Sequence, residues 1–265
     1  MPRPGPNGAR TAVTRNTLRQ QIADALRDEV LAGRLLPGQE FTVRQIAEQY
    51  GVSATPVREA LVDLSAQGLL DCDQHRGFKV HRFTVADYRT MVESRSLVMD
   101  GVIRHAERRG RARTHAVAMV AVRRRAEEAA RAARCGDLDI HIGYDLRYWH
   151  ELGTILANPY ISGFLHRLRV QGWVFAVPHL RVDDDRSGWL WSGHEELVDA
   201  VTLGDLGAAR AVIDAHNDRA LAWADRLERP DRTDGPDPAD RPDLPDRPDR
   251  PERPDLPDRR ERRER

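Results

Sequence analysis

Residues 42–66 leave the chain little choice: they can form two short helices around a tight turn and little else. In "TVRQIAEQYGVSATPVREALVDLSA", Thr42 stands three residues before Gln45, the spacing at which each side chain can take the other's backbone N–H. Val43, Ile46 and Ala47 then share one helical face, and Gly51 ends the run. Ser53 is placed to cap the next helix by accepting a backbone N–H. Pro56 falls in that helix's first turn, where a missing N–H costs little. Val57, Ala60, Leu61 and Leu64 form its inward face. Upstream, Leu18, Ile22, Ala25, Leu26, Val30 and Leu31 keep helical spacing until Gly33, and "LLPGQEF" reads as a turn. Downstream, "GLLDCD" and "GFKVHRF" read as two short strands around "QHRG". The sequence therefore predicts a winged helix-turn-helix over residues 15–82.

That order of residues suits a duplex. The hydroxyls of Ser53 and Thr55, with the amides at a helix start, make an edge that favours anions, and Pro56 stiffens it. Arg58 projects one turn in from the same end. Taken singly, Ser53 is only a cap and Arg58 only a surface cation. Together with the wing they describe a recognition helix whose start meets base edges and phosphates.

Residues 84–228 read as a second unit, all helix, with six helices and no strand alternation. The fold class expected for the chain is mainly α: the winged helix plus a C-terminal helical bundle. Several polar residues of this unit fall on apolar stripes. Asp145 shares a face with Leu138, Ile142, Trp149, Leu152 and Leu156, and burying it alone would be costly. His194 lies with Leu197, Val198 and Val201, and His216 with Val212 and Ala220. A carboxylate and two imidazoles facing one interior suit a divalent ion such as zinc, nickel or manganese. Arg95 also points inward, either to pair with an acid such as Asp145 or to grip a ligand carboxylate. Trp173, Trp189, Trp191 and Trp223 read as core or dimer contacts.

Length and composition bound the rest. The 265 residues suffice for two ordinary domains, and zero formal net charge excludes a uniformly basic coat while allowing local patches. Two isolated cysteines, Cys72 and Cys135, form no metal or redox motif. No signal-type or membrane-length apolar run occurs, so a cytoplasmic location is expected. Residues 1–14 and 229–265 are expected to be disordered, the latter a Pro, Asp and Arg repeat that can bury no core.

The stretch "LLPGQEFTVRQIAEQYGVSATPVREALVDLSAQGLLDCDQHRGFKV" resembles the DNA-binding domain of GntR-family transcription regulators. The resemblance implies DNA contacts at Arg44, Ser53, Thr55, Pro56 and Arg58, with the wing tip, Arg76 and Gly77, entering the minor groove. Ala54 departs from the Arg or Lys common there in the family. "DLRYWHELGTILANPYI", "GHEELVDAV" and "AHNDRA" resemble the helical effector-binding (FCD) domain of the FadR-type subfamily. In that domain the metal ligands are an Asp, a His four residues later and two further His. Asp145, His194 and His216 match three of them, while Trp149 stands at the fourth and cannot ligate; His141, one turn before Asp145, is the candidate replacement. Arg95 and Trp149 are the candidate effector-binding residues. The resemblance implies a homodimeric repressor on a pseudo-palindromic duplex operator, controlled by a small organic acid held with or without a metal. Two rival readings remain: a metal-dependent enzyme using Asp145, His194 and His216, and a DNA-binding protein with a non-functional pocket.

Overall fold

The structure, a computed structural model, describes residues 7–73, 77–108 and 116–229. Helix α1 spans Asn7–Leu31. It begins earlier than the sequence reading, which assigned residues 1–14 to a disordered arm. Pro6 is the last proline before it, and nothing beyond blocks helix propagation. Residues 1–6 and 230–265 lie outside the described residues, and with them part of the first predicted disordered end and nearly all of the second.

Strand β1 is Glu40–Phe41, helix α2 is Val43–Tyr50 and helix α3 is Ala54–Ala66. Strands β2, Leu70–Asp73, and β3, Gly77–Val80, form the wing. The sheet has three strands, not the two expected, in the order β1-β3-β2, all antiparallel. The segment "LLPGQEF" was read wholly as a turn, but Glu40 pairs with Lys79 and Phe41 with Phe78. Two residues are too few to show strand alternation, so the partner strand decides their conformation. Thr42 and Gln45 do make the reciprocal cap, and Gly51 closes α2 in the left-handed region at φ 64°. Ser53 occupies the cap position of α3, but its side chain makes no cap hydrogen bond. The third residue of α3 is Pro56, which has no N–H to donate to it.

Among the described residues seven helices follow where six were expected. They are α4 (Val85–Arg108), α5 (Ala116–Cys135), α6 (Leu138–Leu156), α7 (Pro159–Arg181), α8 (Arg186–Trp189), α9 (His194–Leu203) and α10 (Leu206–Glu228). The additional one, α8, is a single turn, too short to leave a periodic signal. Asp137 caps α6 and Asn158 caps α7 with Pro159 as its first residue. Helix α7 also runs three residues past Pro178, which sits inside it and gives up one backbone bond.

The described residues up to Glu228 form one compact unit. An apolar cluster runs from the winged helix (Ile22, Leu26, Val57, Leu61, Val80) into the bundle (Val170, Val174, Phe175, Val177, Trp223). A second cluster fills the other half of the bundle around Tyr148, Leu152, Leu197 and Val198. Helix α7 is the shared wall. Val177 and Arg181 approach Gly33 at the end of α1, and Gln171 Nε2 donates to the Gln67 carbonyl at the end of α3 (2.7 Å). Among the described residues no helix is long and apolar enough to cross a membrane.

Candidate functional site

The exposed edge of the winged helix carries Arg44 on α2 and Ser53, Thr55 and Arg58 at the start of α3, all open to solvent. Arg44 and Arg58 line one open groove with Gly51 and Ala54. Arg44 is held by Glu48 at 2.8 Å, an exposed pair that breaks at little cost. Pro56, expected among the contact residues, is buried beneath this edge and shapes it from below. Gly77 has φ +99°, and a Cβ there would lie 2.7 Å from the Phe41 carbonyl oxygen, so strand β1 forbids any larger residue. Arg76 lies outside the described residues.

The second site is a cavity of about 80 Å³ inside the bundle. Arg95 (α4), His141 and Asp145 (α6), Arg169 and Trp173 (α7), and His216 (α10) line its polar wall. Trp189, Trp191 and Trp223 line it as well. The tryptophans read from sequence as core or dimer contacts do pack in or against the two apolar clusters, and they line this cavity as well.

Asp145 is the one buried carboxylate among the described residues. Its Oδ1 accepts from Trp149 Nε1 (3.0 Å) and His194 Nε2 (3.0 Å), and its Oδ2 accepts from Trp173 Nε1 (2.9 Å). Burial pushes its pKa up, but the His194 hydrogen bond and the charges of His194, Arg169 and His141 pull it further down, to well below the usual carboxylate range. Arg95 does not pair with it. Arg95 Nε donates instead to Asn217 Oδ1 (2.9 Å), and its Nη2 has no partner among the described residues. Burial lowers the pKa of Arg95. Burial and then repulsion from Arg95 lower that of Arg169 well below its ordinary value.

Trp149 and His194 do not line the cavity, although both were singled out from sequence. They stand behind it and hold Asp145. Asn217 and Arg169, which sequence reading passed over, belong to this site: Arg169 lines the cavity and Asn217 accepts from Arg95. Arg169 had a signal: it falls on one stripe with Leu165, Trp173, Ala176 and Leu180. Its neighbour Arg167 masks this by making the segment read as a charged surface.

The expected metal ligands do not fit a metal. Asp145 is already donated to at both oxygens. His194 spends Nε2 on Asp145, and Nε2 of His216 faces Arg169 Nη1 at 3.4 Å. His141 Nδ1 donates to the Ala129 carbonyl (2.9 Å), which leaves one imidazole nitrogen for the proposed fourth position. Among the described residues no group of three or more His, Cys, Asp or Glu is placed to hold a metal ion. Two buried guanidiniums beside these groups repel a divalent cation and attract an anion.

A winged helix with a bare cationic edge, fused to a helical bundle with a charged internal cavity, defines a DNA-binding transcriptional regulator. Residues 12–80 match the family described as "Bacterial regulatory proteins, gntR family", and residues 89–219 match the FCD domain. The chain belongs to the GntR family of transcription regulators, in its FCD-bearing, FadR-type subfamily, and is not an enzyme. It is 38% identical over 90 residues to a probable D-xylose utilization operon transcriptional repressor of Paenarthrobacter nicotinovorans, covering 34% of this chain and 39% of that protein. It is 23% identical over 208 residues to the uncharacterized HTH-type transcriptional regulator YdhC of Bacillus subtilis, covering 74% and 86%. The solved structure of E. coli McbR/YncC shares the fold, with a TM-score of 0.65 at 19% identity over 80% of this chain and 99% of that one.

Proposed function

We propose that this regulator is a repressor that binds a pseudo-palindromic operator as a homodimer, and that a small carboxylate metabolite in the bundle cavity controls its hold on DNA. A twofold protein suits a twofold site. The first relative above carries a repressor's name. Arg58 and Thr55 would meet base edges, and Arg44 and Ser53 phosphates.

The effector reading rests on one observation: the cavity is rich in hydrogen-bond donors that lack acceptors. Arg95 Nη2, Trp189 Nε1 and Trp223 Nε1 are buried without partners among the described residues, and all three residues line the cavity. A buried donor left unmade is costly. A carboxylate supplies two acceptor oxygens and the negative charge that Arg95 lacks. The volume suits a small acid rather than a nucleotide or an acyl chain. Helix α7 would carry the signal, because Arg169 and Trp173 line the cavity while Gln171 holds the end of α3.

Operator affinity of the full chain, measured by fluorescence anisotropy while acetate, malonate, succinate and lactate are titrated, tests this. At least one acid is expected to change affinity and raise the thermal midpoint. Arg95→Met is expected to bind the operator like the parent and to ignore the acid. If no carboxylate affects either quantity, the cavity is a relic and the reading fails.

A further inference from the structure

The cavity holds a cation of its own, and it is not a metal. Arg169 is buried at 6% exposure, and its guanidinium carbon lies 3.5 Å from the centroid of the Trp149 ring. That is a close cation–π contact in a desolvated place, where such contacts are strongest. Its Nη1 also faces His216 Nε2 at 3.4 Å. His216 stacks on Trp149, with ring centroids 5.5 Å apart and planes 24° apart, so two aromatic groups seat one guanidinium. Trp149 is itself fixed by its N–H bond to Asp145 Oδ1 at 3.0 Å.

The two departures from a metal site are therefore one change. Trp149 stands where an imidazole ligand was expected, and it offers a π face instead of a lone pair. His216 keeps its lone pair but turns it to a guanidinium N–H. Both residues serve a fixed organic cation held by α7.

We infer that Arg169, seated on Trp149 and His216, is the resident positive charge of this pocket in place of a divalent metal, and that it binds the effector's carboxylate directly, alongside Arg95. The inference rests on the effector reading above and adds how the anion is held. It needs no metal ligation at any step. It also gives the cavity wall on α7 a means to feel the ligand. An anion that draws on Arg169 pulls on the helix whose next residues, Val170 and Gln171, pack against or hold the winged helix.

Two measurements on the full-length, EDTA-stripped protein test it. Equilibrium dialysis against zinc, nickel and manganese is expected to show substoichiometric uptake. Thermal shift with the carboxylate panel is expected to show stabilisation that added metal leaves unchanged. Arg169→Gln is expected to weaken apparent anion affinity at least about tenfold, and Arg169→Lys, which keeps the charge but loses the flat stacking face, to weaken it less. Circular dichroism and the anion-free midpoint report whether each variant is folded. If Arg169→Gln fails to fold, Arg169→Lys and Trp149→His carry the test, and parental affinity in both overturns the inference. Stoichiometric tight metal, or an anion response that appears only with metal, overturns it too. Parental affinity in a folded Arg169→Gln does the same. Should no anion stabilise the parent with or without metal, the effector reading falls with it, whereas metal uptake alongside an anion response removes this inference only.

Discussion

The winged helix and the bundle cavity use the same side chain in opposite ways. Arg44 and Arg58 stand in solvent at the proposed DNA edge, where water screens their charge and a loose partner such as Glu48 would be easily exchanged for phosphate. Arg95 and Arg169 are buried in the bundle, where their charge is costly unless something answers it. An exposed arginine is thus a contact held in reserve. A buried one is an unmet demand that the rest of the structure, or a ligand, must satisfy. The comparison explains why mutation should act on binding alone at the first site and on folding as well at the second.

The sharpest way to break this contrast is at Asp145. It is the one buried carboxylate near the two guanidiniums among the described residues, acting on them through its charge without bonding either, and it accepts from three ring N–H donors. Asp145→Asn keeps the shape, removes the charge and sets amide hydrogens against those donors. It is expected to cost roughly 3–5 kcal/mol of stability, read as a fall in the denaturant midpoint. A loss near zero would mean that the buried arginines do not depend on it.

Arg58→Ala should show the other regime. Operator affinity is expected to fall by about a hundredfold, near 2.7 kcal/mol, with circular dichroism and the thermal midpoint unchanged. Unaltered affinity would remove α3 as the recognition helix. A fall in the midpoint would blur the contrast between exposed and buried arginines.

The smallest effect is acid sensitivity, and it belongs to the bundle. Burial first, then the charges of His150, Arg27 and Arg169, lower the pKa of His166 to about 4. The pKa of His216 is pushed well down by burial and then by Arg95 and Arg169, and that of His194 is lowered by burial. All three are imidazoles that resist protonation when folded but accept it near 6.5 when unfolded. Their contribution is complete above about pH 6.5 and is lost as pH falls through each folded pKa, which for His166 is about 4. Asp145 runs differently: its lowered pKa keeps its contribution intact down to the unfolded carboxylate value near 3.9 and lost only below it. Chemical denaturation across pH 7 to 4 is expected to show falling stability, and His166→Gln a shallower slope. An equal slope in the variant would mean that His166 titrates as it does in solvent.

Local signals made the winged helix readable. The Thr42–Gln45 cap, Gly51 and the stripe Val57, Ala60, Leu61 and Leu64 each act within a few residues, and all were realised. What escaped there was non-local: β1 exists because β3 lies beside it, and Ser53 lost its cap because Pro56 removed the donor. In the bundle, helical periodicity placed α4 to α7, α9 and α10 and marked Asp145, His194 and Arg95 as inward-facing. It did not tell which atoms they would meet.

The chain by itself determined the family, the exposed edge proposed for DNA and the set of polar residues turned inward, because caps, turns and periodicity are short-range physics written in consecutive residues. Only the tertiary structure decided that Asp145 would be filled by Trp149, Trp173 and His194, that Arg95 would keep a free N–H, and that Arg169 would take the seat between Trp149 and His216. Those outcomes depend on distances between helices far apart in the chain. In a buried site the charge balance is set by whichever groups arrive there, and no stretch of sequence records the arrival.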